Sequence, residues 1–235
     1  MDDYKKKVKN SIYSKFHISV LNQEGYAQNT TFKIVNNKIL DKFRKNNVKR
    51  ILEAGCGDGR FLLEAKKAGM EPYGFDSNFD LVSYCKKRGI EARYASLSEK
   101  LPYKDSTFDG IYCTNVIEHT EDPDFAIYEL YRILKPRGLL IILVPDIDYT
   151  LFYDDWTHIK PFTIRTMENL AVGIGIKKYK VYMFYPPILV KYWNFPPVRW
   201  FNLIISVRPI ADIINFFMSR IFHIYRHYII LEASK

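Results

Sequence analysis

Residues 51–62 read ILEAGCGDGRFL. A short apolar run ends at Glu53, glycine then occupies positions 55, 57 and 59, and a helical pattern starts at Arg60. Glycine costs backbone entropy, so this spacing marks a turn that bends sharply or lets a ligand lie against bare backbone. A glycine turn between strand and helix also exposes the first N–H groups of the helix. The dinucleotide fingerprint G-x-G-x-x-G requires glycine where Arg60 stands, and no G-K-[ST] follows as a phosphate loop requires. Glu53 precedes the first glycine, and Asp76 closes the next apolar run, EPYGFD. A carboxylate at that second position can accept hydrogen bonds from both ribose hydroxyls; the alternative is an ordinary turn or capping Asp.

On both sides of this turn, strand and helix patterns alternate. KRILEAG, EPYGFD, IEARYA, TFDGIYCTNVIEH, GLLIILVP, KKYKVYMFY and HYIILEAS read as seven strands. GRFLLEAKKAG, SNFDLVSYCKKRG, DPDFAIYELYRILK and TIRTMENLAVGIG read as helices, with Ser77 or Asn78 placed to cap the second and Pro123 in the first turn of the third. Alternation in units of this size argues for βαβ units. The expected fold is α/β: a doubly wound, seven-stranded, mostly parallel sheet with helices on both faces. Such sheets bind ligands at the C-terminal strand ends, where the strand order reverses, and the glycine turn is at the end of the first strand. Before the sheet, Phe32, Ile34, Val35, Ile39, Leu40 and Phe43 recur at helical intervals, making residues 1–46 an N-terminal helical segment.

The 235 residues are 48% hydrophobic, enough for a core. Cys56, Cys85 and Cys113 are far apart and form no C-x-x-C pair, so neither a disulfide scaffold nor a zinc site is indicated and no metal is expected. The N-terminal MDDYKKKVKN lacks the apolar stretch of a secretory leader, which makes the cytoplasm the expected compartment. The net charge of +9 is uneven: residues 1–50 carry 12 Lys/Arg against 4 Asp/Glu, residues 51–176 carry 14 against 20, and residues 177–235 carry 9 against 2. Basic flanks attract nucleic acid, anionic lipid or a phosphorylated substrate, or simply solvate the surface. Residues 186–226 form a basic, aromatic, helical insertion before the last strand, 227–235. Its charges keep every uncharged run below the roughly 18 residues of a membrane span. That profile suits a helix lying on an anionic membrane, a cap over a greasy substrate, a homodimer contact, or packing on its own core.

ILEAGCGDGRFL, YGFDSN (73–78), SEKLPYKDSTFDGIYCTNVIEHTEDP (98–123) and ELYRILKPRGLLIILVP (129–145) together resemble the class I S-adenosylmethionine-dependent methyltransferases, in their small-molecule and lipid-precursor branch. The resemblance implies a Rossmann-like core over 47–185 with S-adenosyl-L-methionine as methyl donor and S-adenosyl-L-homocysteine as product. It implies that Glu53, Ala54, Gly55, Cys56 and Gly57 receive the methionine portion, with Glu53 near the amino group. Asp76 would hold the ribose, with Ser77 and Asn78 beside the adenine. Ser96 and Leu97 would present backbone to the adenine ring, and the Asn115 carbonyl would lie near the sulfonium. Chemistry agrees, because a carboxylate beside the turn suits an ammonium and would repel a pyrophosphate. Two positions depart from the family pattern: Leu97 stands where many relatives have Asp, and Arg137 replaces a glycine in the KPGG turn.

Methyl transfer needs alignment of the nucleophile with the C–S bond and exclusion of water, and a base only when the acceptor is a poorly acidic hydroxyl or carbon acid. His119 is either that base or a structural His bonded to the neighbouring loop. His158, in DDWTHIKPFT, is either a second base oriented by Asp154 or Asp155, or an exposed loop residue. Tyr26, in a lid formed by the N-terminal segment, and Asp155 are further substrate candidates. The expected acceptor is a small molecule or a lipid-linked group. Nucleic acid is not favoured, since no NPPY-type motif follows the fourth strand, where TNVIEH stands. The rival reading is a catalytically silent binding or scaffold protein of this fold at a membrane surface.

Overall fold

Alternation along the central strands sets the layers. In the computed structural model, which describes residues 30–147, 152–184 and 228–235, Ile51, Tyr112, Ile141 and Leu143 pack on one face of the sheet. Their neighbours Leu52, Ile111, Leu140, Ile142 and Val144 pack on the other, as the two-residue side-chain period of strands requires. The strands are β1 (Arg50–Ala54), β2 (Glu71–Asp76), β3 (Glu91–Tyr94), β4 (Phe108–Thr114), β5 (Leu134–Pro145), β6 (Lys178–Phe184) and β7 (Tyr228–Ser234), in spatial order β3-β2-β1-β4-β5-β7-β6. All described pairings are parallel except those of β7, which runs antiparallel to both β5 and β6. Helices α1 (Thr30–Lys45), α2 (Arg60–Lys67) and α3 (Phe79–Lys87) bury Leu40, Phe43, Phe61, Leu62, Val82 and Cys85 on the first face. Helices α4 (Pro123–Ile133) and α5 (Ile164–Ile174) bury Ile127, Leu130, Met167 and Ala171 on the second. This is the expected doubly wound sheet, mostly parallel and covered on both faces.

Local chemistry sets the ends. Asn78 caps α3 by accepting from the Asp80 and Leu81 N–H groups. Thr163 and Thr166 form a reciprocal capping box on α5, which ends at Gly175 in the left-handed region. Two junctions differ most from the sequence expectation. The fourth strand stops at Thr114 because Asn115 adopts φ 53; a single 3-10 turn, Ile117–His119, follows. The third core helix ends at Ile133, since Pro136 disfavours helical backbone at Lys135. Arg137 takes the left-handed conformation natural to the glycine it replaces, at φ 66, and its N–H donates to the Lys235 carbonyl. Of the N-terminal segment, Thr30–Lys45 is helical as expected. The proposed lid with Tyr26 and the insertion at 186–226 lie outside the described residues.

One ion-pair network fixes the loop between β3 and β4. Glu129 on α4 receives both Nε and Nη2 of Arg132, each at 2.8 Å, and also the Leu101 N–H at 2.8 Å. Arg132 in turn donates to the carbonyls of Leu101 and Tyr103 and to Asp105. The loop that carries Ser96 and Leu97 is thereby hung on α4.

Candidate active site

The strand order reverses between β1 and β4: β1 leads to β2 on one side and β4 to β5 on the other. Their C-terminal ends are the glycine turn and Asn115. Gly55, Gly57 and Gly59 all take left-handed φ values of 69, 50 and 74°. The first two serve different ends. A Cβ at Gly55 would meet the Cγ2 of Val116 at 2.4 Å, whereas one at Gly57 would meet nothing within 4 Å. Gly55 is thus required by packing, and Gly57 leaves a bare, accessible backbone. Gly57→Ala should lower stability by about 1–2 kcal/mol, the left-handed penalty alone, and Gly55→Ala by about 2–3 kcal/mol because overpacking is added. Urea unfolding of the two variants checks this order, and the reverse order would contradict the assignment.

The carboxylates divide the remaining work. Asp76, half-buried at the end of β2, accepts the Gly57 N–H at Oδ2 (2.9 Å) and the Asn78 N–H at Oδ1 (2.8 Å). It ties the glycine turn to the second strand and to the start of α3. Glu53 is buried on β1, and its Oε2 has no hydrogen-bond partner among the described residues. Burial first, then the negative charge of Asp58 and further contributions from Cys85 and Asp76, push its carboxyl well above the ordinary range. Ala54 is fully buried, and the Cys56 side chain lies against Gly74, so both offer a ligand only backbone. Contact with Cys85, then burial, holds the Cys56 thiol protonated.

Ser77 is exposed, while the buried Asn78 commits its side-chain oxygen to the α3 cap. Ala95 N–H donates to the Asp76 carbonyl at 3.2 Å, which brings the Ser96–Leu97 segment beside the end of β2. Ser96 Oγ accepts from Ser98 N–H, and the Leu97 side chain is in the core, so Leu97 too can offer only backbone. Asn115 N–H donates to the Leu143 carbonyl, fixing the left-handed residue at the β4 end.

The turn after β4 and the loop 152–160 form one unit. The Glu118 carbonyl accepts the N–H groups of Ile159 (2.9 Å) and Lys160 (3.1 Å). Asp155 Oδ1 accepts both the N–H (2.9 Å) and the hydroxyl (2.5 Å) of Thr157. With its proton so directed, Thr157 Oγ1 accepts at His119 Nδ1, as the Thr157 carbonyl must, both at 3.0 Å. His119 therefore carries its proton on Nδ1. His158 donates from Nδ1 to the Phe152 carbonyl at 2.7 Å. Both imidazoles present Nε2 as the lone-pair nitrogen, and their ring centroids are 4.8 Å apart. Desolvation raises Asp155, but the Thr157 hydroxyl and N–H, with the nearby imidazoles, bring its carboxyl below the ordinary value.

The expected pairing of His158 with Asp155 as orienter is corrected by these contacts. Asp155 Oδ2 is 3.7 Å from His158 Nε2, beyond a hydrogen bond, and the residue that Asp155 orients is His119, through Thr157. The side chain of Asp154 lies outside the described residues. Two functional candidates escaped sequence reasoning, Thr157 and Glu118. Glu118 is fully buried, neither of its carboxylate oxygens has a hydrogen-bond partner among the described residues, and burial pushes it up to about 8. Its one signal in the sequence is an acid inside the apolar run NVIEH.

Comparison with known proteins follows the same blocks. Residues 52–142 match the family model described as a methyltransferase domain. An uncharacterized protein of Methanocaldococcus jannaschii is 29% identical over 66% of this chain and 73% of its own length. The malonyl-[acyl-carrier protein] O-methyltransferase of Pectobacterium atrosepticum is 30% identical over 39% of this chain and 36% of its own length. This chain therefore spans little more than a third of that named relative. Among solved structures, an S-adenosylmethionine-dependent methyltransferase from Archaeoglobus fulgidus superimposes with a TM-score of 0.61 at 22% identity, covering 85% of this chain and 94% of the other, which is a likeness of fold.

Proposed function

We propose that this chain is a class I S-adenosylmethionine-dependent methyltransferase whose acceptor is a small molecule or lipid-linked group attacking through oxygen, approached from the loop 152–160. The observation that carries the cofactor half of this reading is the buried Glu53 with an unpartnered Oε2 beside the open backbone of Gly57. That oxygen is an acceptor waiting for an ammonium. Asp76 stands at the end of β2, where a carboxylate can receive ribose hydroxyls, and the backbone of Ser96 and Leu97 is beside the same strand end to flank the adenine. When bound, S-adenosyl-L-methionine supplies an electrophilic methyl group on a sulfonium.

The chain's own work is to bind, orient and manage the acceptor's proton. An acceptor hydroxyl must lose its proton or be polarised before it attacks. His119 and His158 provide the two Nε2 lone pairs for that purpose, either directly to the proton or through a bound cation, and Asp155 and Thr157 fix the His119 ring. The oxygen acceptor is supported by the named O-methyltransferase relative, whose acceptor is its own. Among the described residues no helix is long and apolar enough to cross a membrane, and nothing there favours a cofactor-free scaffold.

Titration calorimetry with S-adenosyl-L-methionine tests the first half, with binding expected at micromolar to submillimolar ligand, the usual range of enzyme substrates. No heat at several millimolar ligand would sink it. Transfer of a labelled methyl group to a panel of hydroxyl, carboxyl, amine and lipid-linked acceptors tests the second; labelling of amines alone would reject the oxygen acceptor.

A further inference from the structure

We infer that Glu118, His119 and His158 form a binding site for a divalent cation of the zinc or manganese type, at the junction of the β4 turn and the loop 152–160. One ligand atom from each of the three residues lies within 4.8 Å of the others. Tetrahedral ligands at about 2.0–2.2 Å from an ion stand about 3.3–3.6 Å apart, so binding draws the three groups together by about an ångström. The inference deepens the oxygen-acceptor reading but does not rest on the cofactor half of it.

Three independent features point to a cation. First, both imidazoles donate Nδ1–H to backbone carbonyls, His119 to Thr157 and His158 to Phe152. This is the outer contact by which metal-binding histidines fix the tautomer and present Nε2. Second, Glu118 is fully buried with both oxygens unpartnered among the described residues. An unpaired buried carboxylate is costly. Protonation does not resolve the geometry, because the nearest imidazole nitrogen, His158 Nε2, is 4.0 Å away, too far for a hydrogen bond. A cation among the three groups neutralises and satisfies the carboxylate, with both imidazoles as its ligands. Third, Asp155 Oδ2 stands 3.7 Å from His158 Nε2 and adds negative charge at the rim. Two histidines and one carboxylate leave coordination positions open, as catalytic rather than structural metal sites do. With the cation in place the imidazoles are ligands, and the cation polarises the acceptor oxygen and lowers its pKa.

The test uses the full chain stripped by chelator and titrated with Zn²⁺ alone, then with Co²⁺ for its spectrum, in wild type, His158→Ala and the near-isosteric Glu118→Gln. Circular dichroism and thermal unfolding confirm that each variant is folded. Wild type should bind one Zn²⁺ per chain and gain thermal stability from it. Each variant should bind at least about 30-fold more weakly, since the loss of an outer contact alone costs 10–100-fold. Co²⁺ should give a nitrogen and oxygen spectrum without thiolate charge transfer. No binding by wild type up to about 100 μM Zn²⁺, equal binding by all three proteins, or a thiolate band would overturn the site. S-adenosyl-L-methionine titration of the same samples separates failure of the metal site from failure of the methyltransferase reading.

Discussion

Glu53→Gln binds S-adenosyl-L-methionine about 10- to 100-fold more weakly than the wild type, because a charged hydrogen bond contributes about 1.5–3 kcal/mol. The substitution keeps the shape and the burial and removes only the charge. The amide that replaces the carboxylate still offers an oxygen to the cofactor's amino group, so part of the affinity survives. A loss of less than threefold by calorimetry would show that the ammonium is held elsewhere.

Protons give the same prediction a second readout. Burial, before any neighbouring charge, raises the Glu53 carboxyl well above its ordinary value, so in the free protein it holds its proton into a pH range where an exposed Glu is ionised. Pairing with an ammonium favours the ionised form. Cofactor binding must therefore release a proton from Glu53, and affinity must rise with pH until Glu53 is ionised in the free protein or the cofactor's amino group loses its charge. The sign for stability is opposite. A carboxyl raised in the folded state makes the native protein bind more protons than the unfolded one, so its contribution falls as pH rises from the unfolded value toward the folded one. Calorimetry in buffers of different ionisation enthalpy measures the released proton, and Glu53→Gln should abolish the release.

The sheet was legible because its strands are extreme cases. GLLIILVP is apolar on both faces, which only a doubly covered strand tolerates, and alternation with helices leaves few topologies once crossovers are right-handed. The places of the glycine turn and Asp76 were legible for a related reason: they close β1 and β2, whose ends the pattern marks. Asn115 was harder, since asparagine tolerates the left-handed region without demanding it, and TFDGIYCTNVIEH reads as one strand until that φ is known. The partnership around His119 was not legible. Thr157 reaches His119 only because the Glu118 carbonyl captures the N–H groups of Ile159 and Lys160, a tertiary contact with no spacing rule. The grouping of Glu118, His119 and His158 likewise has no spacing signature, because two of them belong to one turn and the third to a distant loop.

Glu129→Ala is expected to cost about 3–5 kcal/mol, the range for removing one partner of a buried ion pair. Arg132 is only 10% exposed and Glu129 3% in their side chains. Truncation leaves the guanidinium with Asp105, which is largely exposed, and strips the Leu101 N–H of its acceptor. The loop that carries Ser96 and Leu97 loses its anchor on α4 at the same time. Urea unfolding measures the loss, and a change below 1 kcal/mol would show that the pair is not holding the loop. A double variant, Glu129→Leu with Arg132→Met, should recover much of the stability, because it removes the orphaned charge that makes the single change costly. Acid provides the complementary check. Arg132, hydrogen-bonded to Glu129, holds the Glu129 carboxyl below the ordinary range. The pair therefore stabilises the fold fully above the unfolded-state value of about 4.3, and that contribution is lost as pH falls through the depressed folded value. Wild type should lose stability more steeply than the double variant below about pH 4, and the two should converge in strong acid, where the carboxylate no longer exists to be paired.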